Sequence, residues 1–169
     1  MPNHENFPSL NESYASSFDK GDLPLPPSKH LTVVTCMDAR VEPASQLGIN
    51  LGEANVIRNA GGSAKDALRS IVISQRLLGT REIAVFHHTG CGMLTFTNES
   101  IRDKVKSEAP GDSTVAQAVD DIDFLAFSQV EKSVKDDVNF LKGNPLVLKD
   151  TELTGWIYDV ATGKVKRVA

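Results

Sequence analysis

Cys36, Asp38 and Arg40 stand at alternate positions in the stretch TCMDAR, and His88 and Cys91 stand three apart in FHHTGCGM. The chain has no other cysteine. Two thiolates and an imidazole form a soft donor set that favours zinc over the hard cations. Three protein ligands leave a fourth position free, which is the pattern of a catalytic zinc site, and there is no third cysteine to close a structural one. Asp38 then has two possible jobs. It can bind the metal as fourth ligand, or it can take Arg40 in a bidentate ion pair and accept a hydrogen bond from a metal-bound water. Held by Arg40, the carboxylate stays ionised and can only accept. In an extended chain Cys36, Asp38 and Arg40 would all point to one side. Gly90 and Gly92 flank Cys91 and let that loop bend tightly.

Each fragment alone has a plainer reading. Cysteines are often small buried apolar residues. Two can also oxidise to a disulfide, although a reducing compartment disfavours it. Asp38 and Arg40 alone would be a structural ion pair. His87 is sent away from His88 by strand alternation and reads as a core or surface histidine. The conjunction carries the weight, because both reactive stretches directly follow apolar runs, HLTVVT and EIAVF. These read as strands, and the carboxyl edge of an open parallel sheet is where such folds bind ligands.

The elements that must position this set can be read along the chain. Strands are expected at His30–Thr35, Ala54–Arg58 and Arg81–His88. SAKDALRSIVISQRLLG is a helix with Ser63 as N-cap, Asp66 in the first turn and Gly79 at its end. NESIRDKVKSEA is a mostly solvated helix. Ser113–Gly143 is one long or two consecutive helices, capped by Asp112 or Ser113. LVLKD is expected as a strand, and LTGWIYDVATGKVKRV as a hairpin over ATG. Strands alternating with helices give an α/β fold with a central, mainly parallel sheet flanked by helices.

The chain has 169 residues, 40% of them hydrophobic and 24% charged, with a net charge of −4. One core of ordinary size is implied, and the basic footprint of a nucleic-acid binder is absent. The apolar runs are too short to span a bilayer. The first 29 residues contain no arginine and carry Glu5, Glu12, Asp19 and Asp22, which fits neither a transit peptide nor a signal peptide, so a cytoplasmic location is expected. Residues 1–29 read as an arm, a short helix followed by the proline-dense connector LPLPPSKH, with too little apolar surface to be a domain. The arm is expected to lie across the body or a partner subunit, and residues 30–169 form the catalytic domain. NAGGSAKD fits no phosphate-loop pattern.

The motifs C-x-D-x-R and H-x-x-C, here CMDAR and HTGC, with VIRNAGG between them, resemble those of the β-class carbonic anhydrases. The wording is closest to the small archaeal-like branch, also found in bacteria and fungi, and the resemblance covers roughly residues 30 to 168. It implies zinc on Cys36, His88 and Cys91, with Asp38 and Arg40 as the orienting dyad and Gly61 and Gly62 beside the substrate. It also implies reversible hydration of CO₂ to bicarbonate by a metal-activated water, and a homodimer or a multiple of dimers in which the N-terminal helix embraces the partner. The fourth zinc position would hold water in an open resting state or Asp38 in a closed one. The same branch includes hydrolases of carbonyl sulfide and carbon disulfide, which share the linear shape of CO₂, so sequence leaves the small-molecule substrate open. A third reading is a non-catalytic zinc or redox module closed by Asp38. The presence of Arg40 argues against it, since such a site has no use for the arginine.

Overall fold

A computed structural model describes residues 2–169. Its frame is a five-stranded sheet of β1 (Leu31–Cys36), β2 (Ala54–Asn59), β3 (Glu82–His88), β4 (Glu152–Tyr158) and β5 (Val165–Arg167) in the order β2-β1-β3-β4-β5. The first four run parallel and β5 is antiparallel to β4. The central strands β1 and β3 are β-branched and apolar and are buried almost throughout, as strands covered on both sides must be. Val34 lies opposite Ile57 on one side and Val85 on the other, so β1 and β3 end together at one edge.

One face of the sheet is thickly covered. Helix α3 (Ala64–Leu77) starts at Ser63, whose side chain accepts from the Asp66 N–H, and helix α6 (Val130–Gly143) lies beside it. Ala67, Ile71, Val138 and Leu141 from these helices pack on Val34, Ile83 and Val85. Gly155 on β4 sets the spacing to α6: a Cβ there would stand 2.6 Å from Val134 Cγ1. The opposite face is thinly covered. Val33, Ala84 and Phe86 pack against the partly buried Leu31, Leu47, Ile49 and Trp156, with the short helix α2 (Pro43–Leu47) at the rim. An apolar groove of about 370 Å³ remains there, lined in part by Leu31, Val33, Phe86 and Trp156.

Helix α1 (Phe7–Ala15) and the 3-10 turn before it bury no residue, and Pro27 is the one buried position of the described arm. The helix over NESIRDKVKSEA is present as α4 (Asn98–Glu108). Two expectations need detail or correction. The 113–143 segment is two helices, α5 (Ser113–Asp120) and α6, parted by a loop in which Leu125 takes φ 55°. Asp112 caps α5 by accepting from the N–H groups of Thr114 and Val115. LVLKD is not a strand. Pro145 removes a donor, and Leu146, Val147 and Leu148 spend their N–H groups on Asn144 and Gln75 rather than on a ladder. Among the described residues no helix is long and apolar enough to cross a membrane.

Candidate metal centre

Because β1 and β3 are parallel neighbours in matched register, their carboxyl ends bring Cys36 and His88 to the same edge. The chain then turns through Gly90, at φ 61°, and returns Cys91 to the same point. The donor atoms of Cys36, His88 and Cys91 all lie within 4.8 Å of one another, and all three residues are buried. The two sulfurs are 3.9 Å apart. A disulfide needs about 2.05 Å. Two thiolates on one tetrahedral zinc with bonds of about 2.3 Å stand about 3.8 Å apart. The spacing is therefore that of metal ligands.

His88 completes the test. Its Nδ1 lies 3.0 Å from the Thr89 carbonyl, which can only accept, so the proton sits on Nδ1 and Nε2 carries a lone pair. That Nε2 is buried and has no hydrogen-bond partner. An imidazole oriented from behind, with an orphaned nitrogen facing two sulfurs, is what a metal-binding histidine looks like. The sulfurs agree. A hydrogen bond from Cys91 holds the Cys36 thiol well below its usual range against the penalty of burial, with the nearby His88 imidazole and the Asp38 and Gly61 N–H groups adding to the effect. The same shared hydrogen bond and burial push Cys91 up. The two sulfurs thus interact directly, at a spacing that a shared cation would also suit. The donor set fits zinc.

Asp38 does not sit on an extended chain. β1 ends at Cys36 and the backbone turns, with Val41 N–H donating to Asp38 O at 3.0 Å. The turn still aims the carboxylate at the site, with Oδ2 3.7 Å from His88 Nε2. Arg40 grips it twice, Nε to Oδ1 at 2.9 Å and Nη2 to Oδ2 at 2.7 Å, and its own backbone N–H adds a third bond to Oδ1 at 2.9 Å. Nη2 also donates to Gly90 O at 2.9 Å, tying this turn to the Cys91 loop. Hydrogen bonds from Arg40 hold the Asp38 carboxyl well below the ordinary carboxylate range.

Several groups at the site had no role in the sequence reading. Arg58, on β2, donates Nε to Cys36 O at 3.1 Å and Nη2 to Asp38 O at 2.8 Å, clamping the backbone between ligand and carboxylate. Its signal was a cation near the end of the strand next to β1. Met93 clusters with the two cysteines, and Leu94, Phe96 and Phe127 pack against that cluster, which gives the site an apolar flank besides its charged Asp38–Arg40 pair. Phe127 comes from the loop before α6, which no motif marked. Gly61 and Gly62 both have positive φ, 79° and 74°. A Cβ on Gly62 would come within 2.8 Å of Phe86 O and 3.0 Å of Cys36 N, and one on Gly61 within 2.9 Å of Met93 Cγ. Both glycines let the backbone close against the cysteine side of the centre. His87 does point away, into the α6 side.

Comparison with known proteins agrees with this geometry. Residues 31–165 match the carbonic anhydrase family. Beta-carbonic anhydrase 1 of Mycobacterium tuberculosis is 46% identical over 159 residues, covering 94% of this chain and 93% of its own. A carbonic anhydrase from Glaciozyma antarctica superposes with a TM-score of 0.94 at 48% identity, covering 100% of both chains. A carbon disulfide hydrolase from Acidianus sp. is 34% identical over 175 residues, 92% of this chain and 84% of its own. Likeness over nearly the full length, on a fold whose sheet edge gathers two cysteines and a histidine beside an Asp–Arg pair, makes the chain a member of the β-carbonic anhydrase family.

Proposed function

We propose that the protein is a zinc enzyme that interconverts CO₂ and bicarbonate, with Cys36, His88 and Cys91 holding the metal and Asp38 and Arg40 orienting the attacking water. The observation that carries this reading is the orphaned His88 Nε2 facing two sulfurs 3.9 Å apart, with the doubly held Asp38 carboxylate 3.7 Å away. Zinc bound there supplies Lewis acidity, making a water acidic enough to attack an electrophilic carbon near neutral pH.

The chain's own residues do the rest. Asp38 accepts the water's hydrogen at Oδ2 and so turns an oxygen lone pair toward the substrate. Arg40 keeps Asp38 ionised and, by occupying both carboxylate oxygens, keeps it in the acceptor role rather than as a ligand, which corresponds to the open resting state. Arg58 fixes the carbonyls of Cys36 and Asp38, so that ligand and acceptor move as one piece. Met93 and Phe127 exclude water from the sulfur side. Gly61 and Gly62 let the backbone approach the cysteine side closely, which supports their role beside the substrate. The released proton leaves to solvent on the side of Arg40, whose side chain is half-exposed.

Hydrolysis of carbonyl sulfide or carbon disulfide by the same water is the second reading. It is favoured by the apolar flank and by the 34% identity to a protein named for carbon disulfide. The higher identity to a named carbonic anhydrase places CO₂ first. One experiment separates them: CO₂ hydration and H₂S release from carbonyl sulfide, assayed side by side on zinc-loaded protein. Fast hydration with slow H₂S release supports the first reading, and the reverse overturns it.

The arm supports a dimer. Phe7, Leu10, Tyr14 and Leu25 are 61%, 67%, 57% and 83% exposed in the single chain, while the thinly covered sheet face keeps an apolar groove. Docking of residues 1–29 on a second copy would cover the arm's apolar side chains. Light scattering should give at least twice the chain mass. Two free thiols 3.9 Å apart are best kept in a reducing compartment, which favours the cytosol.

A further inference from the structure

His87 and His88 are sequence neighbours facing opposite ways. His87 is 2% exposed, and its Nε2 lies 3.1 Å from Asp137 Oδ2 on α6. A carboxylate only accepts, so Nε2 carries the proton. Its Nδ1 is 2.7 Å from Ser133 Oγ, one turn earlier on the same helix. Asp137 Oδ2 also accepts from the Ala64 N–H at 2.9 Å, at the first residue of α3, just past the Gly61–Gly62 turn. The His87 ring stacks on Phe127, centroids 5.3 Å apart, and Phe127 packs against the cluster that Cys36, Cys91 and Met93 form. A Cβ built on Gly61 would stand 3.2 Å from the same Phe127 ring.

Three segments beside the cysteine cluster therefore converge on one imidazole: β3, the glycine turn leading into α3, and the Phe127 loop. Packing around this group is incomplete. A cavity of about 350 Å³, lined by Gly61, Ser63, His87, Phe127, Ser133 and Asp137 among others, lies against the group. An apolar filling would stabilise such a spot at least as well as a buried carboxylate and its partners. What the polar set adds is direction, because its hydrogen bonds fix the ring plane and the start of α3. The strained Leu125, at φ 55°, lies two residues before Phe127, which agrees with a loop held in place from outside itself.

We propose that His87 and Asp137 are positioning residues for the metal centre, acting through Phe127 and the Gly61–Gly62 turn on the geometry of the Cys36–Cys91 pair. The inference rests on the metal reading given above. Its test uses the full chain loaded with cobalt(II) or zinc, comparing wild type with Asp137→Ala, Asp137→Asn, His87→Phe and Val138→Ala. The readouts are the thiolate-to-cobalt absorption bands, the rate of zinc release to a chelator, and thermal unfolding of the metal-free proteins. Asp137→Ala and His87→Phe should shift the cobalt bands and speed zinc release about tenfold, the low end for residues supporting metal ligands. Asp137→Asn still accepts from Ala64 N–H, folds most securely, and should lie between Asp137→Ala and wild type. Val138→Ala, a core truncation on the same helix outside the polar set, should unfold at lower temperature yet keep wild-type bands and release. Wild-type bands and release in folded His87→Phe and Asp137→Asn would overturn the proposal. So would equal changes in Val138→Ala, which would reduce the network to general stability. Absence of thiolate–cobalt bands in wild type would instead overturn the metal reading beneath it.

Discussion

At the amino end of β1, Thr32 Oγ1 lies 2.9 Å from Ser74 Oγ and 3.1 Å from Thr80 Oγ1, and Asn55 Nδ2 donates to Ser74 Oγ at 2.7 Å. At the carboxyl end of the same strand, Cys36 faces a second sulfur at 3.9 Å and a histidine nitrogen with no partner. Both clusters are buried, and both join β1 to its neighbours. The lower one is closed, since its hydroxyls satisfy one another and Asn55. The upper one holds a donor atom that the protein never satisfies. Burying an unsatisfied polar atom is destabilising, and native proteins seldom do it without another use for the atom. A closed cluster is scaffold, and an open one waits for something the chain does not supply.

The comparison breaks most sharply if the open cluster is cut. Wild type should carry one zinc per chain, and Cys91→Ser should lose both the metal and detectable CO₂ hydration while the metal-free fold persists. Metal analysis beside stopped-flow hydration checks this. Oxidation of Cys36 and Cys91 to a disulfide in wild type purified without chelator would contradict it.

A smaller effect should come from the acceptor. Asp38→Asn keeps size and zinc but turns half of the acceptor into a donor, and hydration should fall roughly 10²-fold. Arg40→Ala should also slow the enzyme, since the freed carboxylate can swing toward the metal. The double variant should lose less than the two losses combined, because the pair works as one unit. Full activity in Asp38→Asn with zinc retained would remove Asp38 from the mechanism.

Cutting the closed cluster should do the opposite. Thr32→Val leaves Ser74 and Thr80 one partner short, at a cost of about 1–3 kcal/mol. The melting temperature should drop by several degrees, with zinc content and turnover per bound zinc unchanged. Loss of metal in this variant would mean that the two ends of the strand are not separable.

The smallest effect concerns pH. The folded-state pKa of Asp38 is depressed, so the stability from its pairing with Arg40 is present above the unfolded value of about 3.9 and disappears as pH falls below it. The difference in melting temperature between metal-free wild type and Asp38→Asn should be flat from pH 8 to 5 and shrink only below about pH 4. It should be small throughout, because Arg40 is half-exposed.

The donor set and its dyad were legible because chemistry dictates residue type: only Cys36, Cys91 and the histidines could bind a soft metal, and spacing after two apolar runs placed them. The strands and α3 were legible from apolar runs and caps. LVLKD failed because an apolar, β-branched run looks the same whether it joins a ladder or folds on itself around Asn144. Met93 and Phe127 were invisible because apolar residues carry no mark of what they touch. Arg58 was invisible because its partners, the carbonyls of Cys36 and Asp38, are backbone groups, which every residue has, and Asp137 because its partners, the N–H of Ala64 and the ring of His87, lie 73 and 50 residues away in sequence.

The strand order also governs how the chain reaches this state. β1 must pair with β2 and β3 across two intervening helices, and Glu82 at the start of β3 meets Glu152 on β4 only after most of the chain is available. Distant parallel pairings are reached late, since loop closure must precede any contact that rewards it. Until β4 arrives, one edge of β3 lies open to water, with His88 at its end and Cys91 three residues beyond. The thiols are then more exposed to oxidation than in the finished fold, where both cysteines are buried. Refolding from denaturant should therefore depend on reductant far more than the finished protein does, and the recovered yield should fall steeply when thiols are left unprotected during the slow phase.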